Sequence, residues 1–411
     1  MTNDTRRIHL NLLVSGFGVH GGSWLHPEAA EIETRDLDHY VRIARTAERG
    51  TFDALLLADA PALGTGGGVY LGNPFEPITL LSAIATRTSH IGLIPTASTT
   101  FNDPYNLARL VASLDLVSAG RAGWNAVTTS NLQAARNFGL DEHLAHAVRY
   151  ERADEFIAVV QRLWHSWETD AVVRDTVERR QVRPGSVAEI DFEGELFRVA
   201  GPLDVPPSAQ GRPVQVQAGG SAAGIRLGAR HAELVYANAG SLESSRAFVE
   251  EFKSLAATYG RDPAHIAIAP GVVPYLADTE EKARRVKREK FGNQALAIVN
   301  TALDKLDASL RSIMPDHGVP DPKMPAGHVA FPEVEELRAR TLALGPNAGA
   351  GERGTILALL GSVERAEILI RRIDAERRSV NRQSVVARAA ALKGSRERPM
   401  DTGGMSPVPA E

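Results

Sequence analysis

What most constrains this chain is an alternation. Short apolar runs of five to seven residues are followed, again and again, by longer segments with helical spacing. The runs are 9–15 (HLNLLVS), 53–59 (DALLLAD), 90–96 (HIGLIPT), 122–128 (AGWNAVT), 213–218 (PVQVQA), 233–237 (ELVYA) and 266–270 (IAIAP). Between the first two, Leu37, Tyr40, Val41, Ala44 and Ala47 recur at helical intervals before Gly50 closes the segment. Further helices are expected over 77–87, 106–117, 150–164, from about 221, and over 242–259. A run such as DALLLAD, apolar almost throughout, suits a parallel strand covered on both faces. Seven β-then-α units without a block of hairpins point to an α/β fold with one parallel sheet. That count favours a TIM-like (β/α)8 barrel over an open nucleotide-binding sheet, and no GxGxxG follows the first strand.

Three inserts interrupt the rhythm: 64–76 (GTGGGVYLGNPFE), 168–212 with a β-like piece at 191–199, and 291–354. In a barrel, long inserts at the C-terminal ends of strands build the pocket or its cover. No eighth strand is found after Asn300, and Thr355–Leu360 (TILALL) reads as a helix as readily as a strand. The expected organisation is a barrel with inserts over 1–361 and an Arg-rich segment over 362–411 whose end is unstructured.

The net charge of −4 offers no electrostatic case for nucleic acid or an anionic membrane. With no cysteine, disulfides and thiolate metal sites are excluded, and a reducing cytoplasm is the expected location. The N-terminal apolar run is too short for a signal-peptide core or a membrane span.

Ligand groups in a barrel collect where strands end. Asp59 ends the second strand, as a pocket carboxylate or as a turn residue beside Pro61; Thr96 ends the third. Strand alternation puts Asn125 and Thr129 on one face, with Trp124, Ala126 and Thr128 on the other. An inward Asn125 must find partners, because a buried unpaired amide costs on the order of 1–3 kcal/mol. A bound heterocycle would serve, and so would water. His146 and Tyr150, four apart, share a helix face if 146–150 is helical. They could donate to a polar or anionic ligand, or simply pack Tyr150 inward with His146 at the surface. No metal site is expected, since Asp141, Glu142 and His143 lack a metal-binding spacing. In 217–224 (QAGGSAAG) a strand ends in two glycines, then Ser221 and a helix start. Backbone N–H groups near Gly220 and the Ser221 hydroxyl could converge there on an anion, although such turns also occur for packing alone.

The ordered set DHYVRIARTAERGTFDALLLAD, PTASTTFNDPYNLAR, GRAGWNAVTTSN, AARNFG, ERADEFI and GPLDVPPSAQGRPVQVQAG resembles the bacterial luciferase-like superfamily. Within it, the likeness is to reduced-flavin monooxygenases acting on nitrilotriacetate, EDTA, dibenzothiophene sulfone and pristinamycin precursors. The resemblance implies a (β/α)8 barrel that takes FMNH2 from a separate NAD(P)H:flavin reductase. With O2 the flavin forms a flavin-peroxide that oxygenates a small organic substrate, so the flavin, not a side chain, carries the chemistry. It further implies Asp59 and Thr96 beside the isoalloxazine, His146 and Tyr150 along the ribityl phosphate, and Ser221 on the phosphate. Asn125 lies in a matching motif, and Gly220 stands where the family often has a second serine. A homodimer or homotetramer is implied as well. The end departs from the family pattern: after Gly361 comes GSVERAEILIRRIDAERRSVNRQ, without the last helix and eighth strand, as in a truncated, diverged or frame-shifted ending. Two alternatives stay open, an F420-dependent oxidoreductase of the same superfamily and a flavin-binding protein inactivated by its altered end.

Overall fold

Each of the seven apolar runs forms a strand, six of them slightly trimmed. The third starts at Gly92 and runs on to Ser98, so Thr96 lies inside that strand rather than at its end. The structure, a computed structural model, describes residues 8–286 except 20–22, 26, 64–72 and 238–240, together with two short strands at 319–320 and 329–330. In chain order the strands and helices of the first unit, Met1–Gln294, begin β1 (Asn11–Val14), α1 (Leu37–Arg49), β2 (Ala54–Leu57) and α2 (Pro77–Ala85). They continue with β3 (Gly92–Ser98), α3 (Pro104–Val117), β4 (Gly123–Val127), α4 (Leu132–Asn137) and α5 (His146–Trp164). An insert holds β5 (Val172–Asp175), β6 (Arg180–Val182), β7 (Phe192–Glu193) and β8 (Arg198–Val199). The main rhythm resumes with β9 (Val214–Ala218), α6 (Ala222–His231), β10 (Leu234–Ala237), α7 (Leu242–Thr258) and β11 (Ala267–Pro270). The second unit, Ala295–Glu411, is described only at an antiparallel pair, Val319–Pro320 with Val329–Ala330. The insert expected at 291–354, the boundary at 361 and the position of any eighth strand therefore fall almost wholly outside the described residues, as does most of the Gly-rich insert.

The seven strands β1, β2, β3, β4, β9, β10 and β11 pair in that order, all in parallel, as a nearly closed TIM-like barrel requires. Alternation along each strand then decides which side chain goes where. Leu55, Leu57 and Leu93 point outward into the layer formed with α1 and α2. Trp124 and Ala126 point outward too, into a second cluster with Leu107 and Val111 of α3 and Phe156, Val160 and Trp164 of α5. Ala54, Leu56, Ile94 and Val216 face inward and pack with Leu234 and Tyr236. Asn125, opposite Thr96 on one side and Val216 on the other, shares that inward face.

Local chemistry fixes the helix starts. Glu76 and Asp103 cap α2 and α3 through their carboxylates, each followed by proline at the first helical position, where a missing N–H does no harm. Helix α5 begins four residues before the expected Tyr150. Its N-cap is Ala145, which makes no side-chain hydrogen bond, so no capping residue marks the true start. The β-like piece at 191–199 is the β7–β8 hairpin, but the exposed β5–β6 hairpin was not foreseen. Glu155 of α5 holds the second hairpin by accepting from Leu196 N (3.0 Å) and Phe197 N (2.7 Å). Arg152, one turn earlier, lies 4.6 Å over the Phe197 ring.

The end of the barrel opposite the strand C-termini is tied by Asp115, which is fully buried. Its carboxylate accepts from Ala122 N (3.0 Å), Ser208 Oγ (2.5 Å) and Gln210 Nε2 (2.5 Å), joining α3, the entry to β4 and the return of the insert. Asp115→Ala orphans the Ala122 N–H, and the expected loss is about 1–3 kcal/mol. It should appear as a lower urea midpoint with an unchanged denaturant slope.

Candidate active site

The polar end of β4 answers to β3 beside it. Trp124 sends its indole N–H outward and across to Ala97 O (3.2 Å). On the inward face Asn125 Nδ2 donates to Thr96 Oγ1 (2.8 Å), and both side chains are buried. Past the strand, Thr129 Oγ1 donates to Ser98 Oγ (2.9 Å) and Thr100 Oγ1 to Thr128 O (2.8 Å). The run of hydroxyls therefore ties two strand ends together at the barrel mouth. One atom is left over: Asn125 Oδ1 is buried and accepts nothing. The Tyr236 hydroxyl, among the inward-facing apolar side chains, is likewise buried without a partner, and burial pushes its pKa well above the usual value.

A second group assembles between α5 and α6. Ser221 caps α6, its Oγ accepting from Gly224 N (3.1 Å), and the same hydroxyl lies 3.4 Å from Tyr150 Oη. His146 stacks obliquely on Tyr150 with ring centroids 4.7 Å apart, so the two share a face as the spacing predicted. A Cβ at Gly224 would come within 3.3 Å of both Ser221 Oγ and Tyr150 Oη, which explains a glycine inside this first turn. A Cβ at Gly220 would meet nothing, so that position stands in open space.

Asp59 belongs to neither group. It is exposed beyond the end of β2, yet crowding by protein atoms, and after it the Glu76 carboxylate, raise its pKa above the ordinary 3.8. Sequence reasoning missed Asn73. Its Oδ1 accepts from Gly16 N (3.1 Å), and its Nδ2 donates to Val14 O (3.4 Å) and Ala58 O (3.5 Å), pinning the ends of β1 and β2. Nothing in the loop around it signals contacts that distant. Among the described residues no group of three or more His, Asp or Glu could hold a metal. No helix among them is long and apolar enough to cross a membrane.

Helices α5 and α6 are clamped one turn along from Tyr150. Asp154 accepts from His231 Nε2 (2.7 Å) and Arg230 Nη1 (2.5 Å). Burial alone would raise the Asp154 pKa, but the His231 hydrogen bond and the charges of His231 and Arg230 outweigh it and hold the value below 3.8. A carboxyl with a depressed folded pKa stabilises the fold above its unfolded value and loses that contribution as pH falls through the folded one. The stability gap between wild type and Asp154→Asn should thus be full above the ordinary carboxylate range and close below 3.8 in a pH series of denaturation curves. Ser221→Ala, by removing a cap, should cost about 1 kcal/mol. Gly220→Ser should fold as stably as wild type by the same measurement, since its Cβ meets nothing.

Residues 17–353 match the luciferase-like monooxygenase family. N-acetyl-S-(2-succino)cysteine monooxygenase of Bacillus subtilis (strain 168) is 44% identical over 70% of this chain and 66% of its own length. The chain thus spans just under two thirds of that relative. EDTA monooxygenase from Chelativorans sp. BNC1 is 38% identical, covers 82% of this chain and 80% of its own, and superposes with a TM-score of 0.63. Riboflavin lyase, solved with modified FMN and riboflavin, is 30% identical over 72% of this chain and 70% of its own, with a TM-score of 0.65. Fold, motifs and these likenesses converge: the chain belongs to the luciferase-like monooxygenase family.

Proposed function

We propose that the protein is the oxygenase of a two-component system, binding FMNH2 from an NAD(P)H:flavin reductase and oxygenating a small organic substrate with O2. The observation that carries this reading is the buried Asn125 Oδ1, an acceptor with no partner, set beside Thr96 and above the inward-facing apolar side chains of the barrel. A planar heterocycle with an N–H edge fits that atom, and the surrounding leucine, isoleucine and valine side chains suit its faces. At the other end of such a ligand, the α6 first turn offers backbone N–H groups, the Ser221 hydroxyl and the Tyr150 hydroxyl to a phosphate. Bound FMN would supply the oxygen-activating redox chemistry that no side chain can.

The chain's own residues then bind, orient and exclude water. Thr96 fixes the amide of Asn125, so that its free oxygen points one way. Tyr150 and His146 would line the ribityl-phosphate side of a bound FMN, and Gly220, where a Cβ meets nothing, would leave room for the phosphate. Asp59 would stand at the mouth beside the ring system, where burial and then the Glu76 carboxylate raise its pKa. Two relatives act on polycarboxylic acids, N-acetyl-S-(2-succino)cysteine and EDTA, which favours a polar, acid-bearing substrate here as well.

Anaerobic titration with FMNH2 tests the cofactor assignment. Saturable binding is expected, weakened roughly tenfold by Asn125→Leu and by a Ser221→Ala, Tyr150→Phe double variant, in line with the loss of one or two ligand hydrogen bonds. Absence of saturable binding by wild type, or tighter binding of reduced F420, rejects it.

A further inference from the structure

The ladder between β1 and β2 ends at the Val14–Leu57 pair, and one side chain continues it. Asn73 Nδ2 donates to Val14 O (3.4 Å) and Ala58 O (3.5 Å), while Asn73 Oδ1 accepts from Gly16 N (3.1 Å). An amide carries two N–H donors and one carbonyl, so a single Asn73 can serve all three backbone groups at once. Gly16 is held from its other side too, since His39 Nε2 donates to Gly16 O (2.9 Å). The clip therefore has a fixed anchor beyond β1 and a grip on the residue that precedes Asp59. Asp59 stands two residues past the end of β2, exposed, where no strand pairing fixes it. Three residues after Asn73, Glu76 is immobilised as the cap of α2 by Ile78 N (2.9 Å) and Thr79 N (2.7 Å). Glu76 is the charged group that acts on Asp59, and it adds to burial in raising the Asp59 pKa. Two like charges are driven apart unless the chain holds them. Asn73 and Glu76 bound one short stretch, NPFE, so the bonds that fix one end of it to β1 and β2 keep the other end near Asp59.

From this geometry we infer that Asn73 is a positioning residue, which holds Asp59 against Glu76 at the barrel mouth, where the ring system of the flavin would lie. A residue that merely closed a loop would change stability by the same amount at every pH. One that sets the separation of Asp59 from Glu76 changes how Asp59 titrates. The inference rests on the oxygenase reading above only for what Asp59 faces. The clip itself stands on the bonds of Asn73.

The test uses the full-length protein and has two readouts. The first needs no flavin: urea denaturation across a pH series for wild type, Asp59→Asn, Asn73→Ala and the double variant. A carboxyl with a raised folded pKa contributes fully below its unfolded value and loses that contribution as pH rises through the folded one. Wild type should therefore lose stability relative to Asp59→Asn as pH rises from 3.8. With Asn73→Ala in both partners of the comparison, that loss should shrink to about half or less. Glu76→Gln, which keeps a carbonyl oxygen for the α2 cap and removes the charge, should shrink it as well. A loss of equal size with and without Asn73 overturns the proposal, as does a gap between wild type and Asp59→Asn that ignores pH. The second readout is the pH dependence of anaerobic FMNH2 affinity. Asp59→Asn should remove an inflection from it, and Asn73→Ala should move that inflection down toward 3.8. The expected stability result together with a flavin affinity indifferent to Asp59 would sustain the clip and reject the place of Asp59 beside the ring system.

Discussion

The molecule depends first on the two-sidedness of its parallel strands. Strands β2, β3, β4, β9 and β10 are covered on the outside by helices, which favours apolar residues on that face. Leu55, Leu57, Trp124 and Ala126 meet that demand. The period of two then leaves the intervening positions for the barrel interior, where the constraint is looser because a ligand can supply what the protein does not. Thr96, Ser98 and Asn125 fall on those positions, and their mutual bonds satisfy all but one of the strong polar atoms of the Asn125 amide and Thr96 hydroxyl that face the interior. The site is thus a consequence of strand parity at the C-terminal ends of β3 and β4.

Parity is also why this part was legible beforehand. Trp124 and Asn125 are adjacent, so placing one outward under α5 places the other inward, and both assignments hold. The pairing of His146 with Tyr150 was legible for a similar reason, once a helix covers both. What was not legible is nonlocal or unmarked. The start of α5 carries no capping side chain, so periodicity alone had to locate it and came four residues late. Asn73 reaches backbone 57 to 59 residues away, and nothing within its own loop encodes that reach. The β5–β6 hairpin consists of exposed residues whose pattern is set by no core. Arg149 reads in the sequence like any helical arginine. Only the fold shows that its Nε is buried without a partner.

Helix α5 gathers these separate demands on one element. Its inner face, through Phe156, Val160 and Trp164, seals the outside of β4 around Trp124. Its flanks carry Asp154 to α6, Arg152 to the carbonyls of Thr99 and Asn102, and Glu155 to the β7–β8 hairpin. Its first turn presents Tyr150 to Ser221 and Arg149 to His143. A shift of the helix would move the α6 turn, the end of β3 and the hairpin together, because each is bonded to a residue within two turns of the others. The same helix that stabilises the barrel from outside therefore also holds the α6 turn and the end of β3 in one fixed relation, through Tyr150 and Asp154 on one flank and Arg152 on the other.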